Sequence, residues 1–241
     1  MPFLAADGAP LGSLPLRYLG GGGFEVQQAF RWVDPRDGAS YDIPAGQPTD
    51  LASVPPFLWG LVASYGRQTL PAILHDALSE RADHAPAGTG NAVRRDADLR
   101  FRRALVESGV TVLRARTMWA AVSLNRYAVF RLPLGLLLFA QMIVSIAAIV
   151  GAVVLAALGH PWWLLLLAAP AALAIPWGGD AGLAVSAAYL GALYLPLVAA
   201  AALASGVEYL VALAVWLAEG RPGPAPHPGP MLRARGPEVQ P

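Results

Sequence analysis

The chain has 241 residues, of which 56% are hydrophobic and 14% charged, and its formal net charge is +1. An ordinary soluble domain carries about 25% charged residues, so a simple soluble enzyme is excluded. A chain disordered throughout is excluded too, because disorder needs low hydrophobicity and high net charge. The lack of cysteine excludes disulfide frameworks, thiolate zinc sites and cysteine nucleophiles.

The charges are unevenly placed along the chain. All 17 basic residues are arginine, and 14 of them lie at or before Arg131, while the other three lie in the last 21 residues. From residue 132 to residue 218 the only basic side chain is His160, and the only acidic ones are Asp180 and Glu208. The sequence therefore divides near residue 131 into a polar part and an apolar part of membrane character.

The polar part begins with residues 1–23, a Gly- and Pro-rich stretch that we predict to be a flexible lead. A domain over residues 24–130 follows. Alternating apolar residues predict one or two strands over residues 24–33, and residues 41–43 are a candidate partner strand. The prolines between residues 44 and 56 predict an ordered loop.

Three helices are predicted after this loop. Thr69 can cap the first helix. Asn91 can cap the second helix, and Gly109 ends it. Thr111 starts the third, which is predicted to run on through Arg131. Their expected inward residues recur at helical spacing: Leu70, Ile73, Leu74, Ala77 and Leu78; Ala97, Phe101, Ala104 and Leu105; Val112, Ala115, Trp119 and Val122.

Residues 131–219 are predicted to form an all-α transmembrane region of two to four helices. Residues 132–158 are uncharged and long enough to span a bilayer core of about 30 Å. A shorter apolar run ends at Trp177, and residues 181–218 are too long for one upright helix. Because the arginines flank this region at both ends, the positive-inside rule predicts a multi-pass membrane protein with both termini in the cytoplasm. The Pro-rich residues 220–241 are expected to be a disordered tail.

The informative side chains for chemistry are His75 and Asp76 on the first helix and Asp98 on the second. Asp98 shares a face with Phe101 and Leu105, so it points inward and can meet His75 if the helices are antiparallel neighbours. A carboxylate bonded to one imidazole nitrogen fixes the tautomer and raises the basicity of the other, which suits a water-activating base. Asp76 is then a candidate ligand for a hard cation such as Ca²⁺. The alternative is that His75 and Asp98 only stabilise a helix pair.

Other classes of protein fit poorly. A His-Asp phosphohydrolase needs a histidine before His75, and zincin or nucleophile-elbow motifs are absent from the sequence. The arginines are interleaved with acids, so no nucleic acid is expected as a partner. Asp180 and Glu208 are acids among the apolar segments, which makes a transport role a further possibility.

Several of these residues also carry a family resemblance, which covers roughly residues 41–127. The strings that carry it are Pro44 to Pro55, Phe57 to Trp59, Tyr65 and Gly66, Ala72 to Asp76, Arg95 to Asp98, Phe101, Ala104 and Leu105, Gly109 and Val110, and Met118 and Trp119. Together they resemble the DUF1353 family, small domains of unknown function found in phages and bacteria.

The resemblance implies a mostly helical α+β domain and a polar set shared with the family. In this chain the set is Thr49, Asp50, Ser53, His75, Asp76 and Asp98. The His-Asp helix facing a helix with an aspartate is also similar to the helix pair of secreted phospholipases A2, in which histidine activates water and the adjacent aspartate binds calcium.

Two functions therefore stay open from the sequence. The first is a membrane-tethered hydrolase acting on lipid or another envelope ester, with His75 as base, Asp98 orienting it, and Asp76 or Asp50 as polar or cation partners. The second is a non-enzymatic membrane adaptor of prophage descent, in which the polar set holds the loop from Thr49 to Pro55 against the helices. Membrane lipid is the expected partner of both, and no protein partner is indicated.

Overall fold

A computed structural model describes residues 3–20, 23–51, 66–221, 223 and 225–226. The described chain is mostly helical, with two small antiparallel sheets. The strands are β1 (Phe3–Ala5), β2 (Leu16–Gly20), β3 (Gly23–Val26), β4 (Phe30–Val33), β5 (Ser40–Ile43) and β6 (Pro48–Thr49). The helices are α1 (Thr69–Asp83), α2 (Gly90–Glu107), α3 (Val112–Phe130), α4 (Leu132–Ala157), α5 (Ala169–Ala174) and α6 (Ala181–Ala218). Two 3₁₀ segments, Pro161–Ala168 and Ile175–Asp180, flank α5.

The sheets have the strand orders β1-β4-β5 and β2-β3-β6. The predicted strands over residues 24–33 are present as β3 and β4, and β5 is the predicted partner of β4, with Phe30 opposite Ile43. Residues 1–23, predicted as a flexible lead, instead contain β1 and β2, which pair with β4 and β3. Phe3 and Leu11 are buried in the same core as Phe30, so isolated apolar residues order a segment whose composition is that of a loop.

A buried acid joins the sheets to the helices. Asp34, directly after β4, is fully buried and receives Arg100 Nη1 and Arg103 Nη1 of α2, each at 2.7 Å. Arg100 also bonds Asp96 one turn earlier, as the i, i+4 spacing predicts. These pairs place α2 next to the end of β4.

The helices α1, α2 and α3 pack in chain order, and the predicted inward residues of α1 and α2 are buried or partly buried. Val112 is an exception, because this predicted inward residue of α3 is 63% exposed. The third helix does not run on through Arg131. Its backbone leaves the helical region there (φ −148°, ψ 55°), and α4 turns back so that Gly135 lies against Tyr127.

The apolar part folds against the domain as three adjoining lengths of chain. α4 begins directly after α3, and α6 begins beside α3, so Leu138 and Leu183 share a cluster with Trp119. Farther along, Gly191 of α6 lies against Ile146 of α4. The two helices therefore leave the domain side by side in the same direction. Residues 161–180 return between them, where Gln141 Nε2 donates to the Leu173 carbonyl at 2.9 Å.

Residues 181–218, expected to be too long for one upright helix, form one helix of 38 residues that contains Pro196. Two stretches of the described chain are long and apolar enough to cross a membrane, Leu132–Ala157 and Pro161–Ala218. Most of the predicted tail lies outside the described residues.

Candidate functional site

His75 and Asp98 meet between α1 and α2. The Nε2–Oδ1 distance is 2.9 Å, and the residues are 4% and 1% exposed. The six residues between the helices make them neighbours, so two polar side chains on facing apolar stripes come together. The imidazole ring also lies 4.8 Å from the ring of Phe101, measured between centroids.

Burial lowers the pKa of His75, although the hydrogen bond and charge of Asp98 act in the opposite direction. The imidazole is therefore neutral at pH 7. Because Nε2 faces a carboxylate oxygen, we assign the proton to Nε2 and leave Nδ1 as the basic nitrogen. This is the protonation state that a general base requires, but the ring has little contact with solvent in this conformation.

Asp98 has a second partner, the cationic Arg126 of α3, which the sequence-based prediction did not include. Arg126 Nε lies 3.2 Å from Asp98 Oδ2, and the residue is 1% exposed. That contact is an ion pair without hydrogen-bond alignment, since neither atom has a hydrogen-bond partner in the described part of the chain. Arg94 Nε is farther away, at 3.7 Å from Asp98 Oδ1.

The same guanidinium reaches the apolar part of the chain. Arg126 Nη2 donates to Asp180 Oδ2 at 3.2 Å, and Tyr127 OH donates to the same oxygen at 2.7 Å. Arg95 of α2 donates from Nε to Asp180 Oδ1 at 2.8 Å. His75, Asp98, Arg126 and the partly buried Asp180 thus form one chain of polar groups from α1 to the start of α6.

A sequence signal for Arg126 did exist. Ala115, Trp119 and Val122 are spaced by four and three residues, and the next position on that stripe is Arg126. A charge on a buried stripe needs a partner. The basic partners of Asp180, Arg95 and Arg126, also belong to the domain, whereas residues 132–218 contain no arginine.

Thr49 and Asp76 form a second pair, next to His75. Thr49 Oγ1 donates to Asp76 Oδ2 at 2.6 Å and accepts the backbone N–H of Leu51 at 2.9 Å. The backbone N–H of Asp50 also bonds to the Asp76 carboxyl. Asp76 thereby fixes the first residues of the segment that follows β6, where Leu51 has a left-handed backbone (φ 60°).

Asp76 is largely enclosed, with part of the residue at the surface. Burial, together with the nearby charge of Asp50, raises the pKa of Asp76 to about 8. The carboxyl is therefore mostly protonated at pH 7 and can give up a proton. Ser53, the remaining member of the predicted polar set, lies outside the described residues.

The described surroundings of Asp76 offer few ligands for a cation. Within residues 3–20, 23–51 and 66–221, no three His, Asp or Glu side chains are grouped so that they could hold a metal ion. Ca²⁺ takes six to eight oxygen ligands. A protonated carboxyl that accepts bonds from Thr49 and Asp50 is a weak ligand for such an ion, and the chemistry of this pair is that of a proton donor.

A comparison with protein families matches residues 24–122 to the family described as "Protein of unknown function (DUF1353)". The matched region contains Thr49, His75, Asp76 and Asp98 and ends within α3. No curated protein and no solved structure matches the chain significantly, so nothing here supports the similarity to phospholipases A2. The apolar helices α4 and α6 lie outside the matched region.

Replacing Arg126 by methionine tests the buried chain. Arg126→Met leaves the carboxylates of Asp98 and Asp180 without this cation, and we expect a loss of about 3–5 kcal/mol in the free energy of unfolding. The measurement is denaturant unfolding of the full chain in detergent, followed by tryptophan fluorescence. The matched control is Arg31→Met, which breaks the exposed pair with Asp42 and should cost about 1 kcal/mol or less. Equal losses in the two variants would contradict the assignment.

Asp76→Asn tests the raised pKa. Because the folded pKa of about 8 lies above the ordinary value of 3.8, the stabilisation by the proton is complete below about pH 3.8 and is lost as pH rises towards 8. His75 has the opposite dependence, present in both proteins, so it cancels in the difference. The melting temperature of the wild type should fall relative to that of Asp76→Asn between pH 5 and pH 8. A constant difference across this range would show that the pKa of Asp76 is not raised.

Proposed function

We propose that the chain is an integral membrane protein in which apolar helices hold a DUF1353 domain at the cytoplasmic face of a bilayer. The observation that carries the proposal is the exposure of large apolar side chains along α4, residues 161–180 and α6, among them Leu165, 81% exposed. Soluble monomers rarely expose contiguous apolar patches larger than a few hundred Å². In a bilayer these side chains contact lipid, which removes the free-energy cost of exposing them to water.

The lengths of the apolar segments support three crossings. At 1.5 Å per residue the 26 residues of α4 extend about 39 Å. The returning residues 161–177, which end before the non-helical Gly178, extend about 31 Å with the longer 3₁₀ rise. Both exceed a bilayer core of about 30 Å. The first turns of α6 pack on the domain, and the rest of its 38 residues are long enough for the third crossing.

Three crossings separate the two termini. α6 starts beside the domain at Asp180 and leaves in the same direction as α4, so Glu219 would lie on the side opposite the domain. The arginine distribution alone favours both termini in the cytoplasm and an even number of crossings. The position of Glu219 therefore decides between the two arrangements.

Extraction and cysteine labelling test the anchoring and the topology. The full chain should stay in the membrane pellet after an alkaline carbonate wash, and its recovery in the supernatant would refute integral membrane anchoring. Because the chain has no native cysteine, Ser40→Cys, His160→Cys and Glu219→Cys each carry one label site. We expect an impermeant maleimide to label His160→Cys and Glu219→Cys in sealed cells and not to label Ser40→Cys. Protection of Glu219→Cys would favour an even number of crossings.

A second candidate function is hydrolysis of a lipid or another envelope ester, and the state of Asp76 favours it. Asp76 is a partly exposed carboxyl with a pKa of about 8, so it can protonate a leaving group near neutral pH. Neutral His75, oriented by Asp98, is the candidate base. Thr49 and Asp50 are the candidate polar groups beside them.

The same contacts suit a non-enzymatic membrane adaptor. The bonds from Thr49 and Asp50 to Asp76 hold the start of the segment after β6 against α1. In an adaptor His75 and Asp98 would serve only to join α1 to α2. Because the same contacts fit a hydrolase and an adaptor, only turnover of a substrate distinguishes the two.

Turnover of a short-chain phospholipid by the full chain in mixed micelles distinguishes the candidates. If hydrolysis is the function, Asp76→Asn and His75→Asn should each lower kcat/KM by about 10²-fold or more. The matched control His84→Asn changes an exposed histidine of the α1 end and should keep full activity. Absence of wild-type turnover above the Asp76→Asn background would exclude phospholipid hydrolysis and leave the adaptor, with a lowered melting temperature of His75→Asn as its signature.

A further inference from the structure

The start of α3 combines a cavity, two arginines and exposed apolar side chains. The cavity has a volume of about 330 Å³ and lies between the segment that leads into α1 and the turn between α2 and α3. Arg67 and Arg114 both line it. Val112 and Leu113, which lie beside Arg114 in sequence, are 63% and 51% exposed.

Among the described residues no carboxylate neutralises the charge of this surface. Neither Arg67 nor Arg114 has a carboxylate within ion-pair distance in the described part of the chain, although Arg67 Nη1 donates to the Gly109 carbonyl at 2.9 Å. The sequence from Ser108 to Gly179 contains four arginines and no acid. By contrast Arg17, Arg31 and Arg100 are each paired with acids of the sheets or of α2.

This surface continues into the helices proposed to lie in the membrane. One turn after Leu113, Thr117 Oγ1 lies 3.2 Å from Tyr194 OH of α6. Arg116 Nη1 reaches Ser186 Oγ of the same helix at 3.5 Å. The exposed apolar residues of α3 therefore adjoin α6.

We propose that the cavity at the start of α3 binds the phosphate headgroup of an anionic phospholipid, with Arg67 and Arg114 on the phosphate and Val112 and Leu113 against the acyl chains. Guanidinium groups hydrogen-bond phosphate oxygens with a planar fork of donors. Basic residues next to membrane helices attract anionic lipids. The combination of unneutralised charge, a headgroup-sized space and continuity with the apolar helices selects lipid over a soluble anion.

The proposal rests on the chain being a membrane protein, and the test separates the two. The full chain, purified in an uncharged maltoside detergent, is titrated with dioctanoyl phosphatidylglycerol, dioctanoyl phosphatidylcholine or inorganic phosphate, and bound lipid is counted by native mass spectrometry. We expect phosphatidylglycerol to bind about tenfold more tightly than phosphatidylcholine. Equal affinities for the two lipids would overturn the proposal. Headgroup binding in detergent is read independently of whether the helices cross a bilayer, which the carbonate wash reports.

Paired variants locate the site. Arg67→Gln with Arg114→Gln should abolish the preference for phosphatidylglycerol, while Arg67→Lys with Arg114→Lys should keep part of it. The matched control, Arg36→Gln with Arg81→Gln, removes two exposed arginines elsewhere on the domain and should keep all of it. Loss in the control pair, or none in the Arg67 and Arg114 glutamine pair, would overturn the proposal.

A last pair of substitutions tests the proposed contact with the acyl chains. Val112→Ser with Leu113→Ser should weaken phosphatidylglycerol binding and leave phosphate binding unchanged. If phosphate binds as tightly as phosphatidylglycerol to the wild type, the site is one for a free anion and the lipid assignment is wrong. The wild-type comparison of the two lipids needs no variant, so a variant that fails to fold leaves the proposal open to refutation.

Discussion

The structure depends on one buried guanidinium, that of Arg126, placed between two carboxylates from different parts of the chain. A buried charge is costly unless other charges and donors surround it, and here Asp98 lies on one side and Asp180 on the other. Asp98 belongs to the helix pair that carries His75, whereas Asp180 belongs to the turn before α6. The arrangement of domain and apolar helices is therefore fixed by charge pairing as well as by apolar packing.

This constraint bears on how the polar groups can work. Asp98 faces both His75 and Arg126, so its charge is shared between orienting an imidazole and neutralising a guanidinium. A shift of α3 or of the turn at Asp180 would change the electrostatic surroundings of His75. Asp76 stands apart, since its partners Thr49 and Asp50 belong to the segment after β6. His75 and Asp76, neighbours on α1, therefore have their partners in different parts of the molecule.

The surface has two parts of different polarity. The sheets and α2 carry arginines paired with acids, as suits contact with water, whereas α4 and α6 expose leucine and valine. The start of α3 lies where these surfaces meet, and there the arginines lack acidic partners in the described residues while valine and leucine are exposed. A headgroup layer is the environment that accepts both kinds of side chain.

The local features could be predicted from the sequence: β3, β4 and β5 from alternation, the buried stripes of α1 and α2 from helical spacing, the contact of His75 with Asp98, and the apolar length of α4. These features follow from the periodicity of apolar residues and the placement of charges, which are properties of residues close together in sequence. The strands Phe3–Ala5 and Leu16–Gly20, the turn at Arg131, and the partners of Arg126 and Asp180 became apparent only from the packing of the folded chain. Their partners are far away in sequence, as with Arg126 and Asp180, 54 residues apart. Which distant charge a buried group meets is set by how helices pack, and no local pattern encodes it.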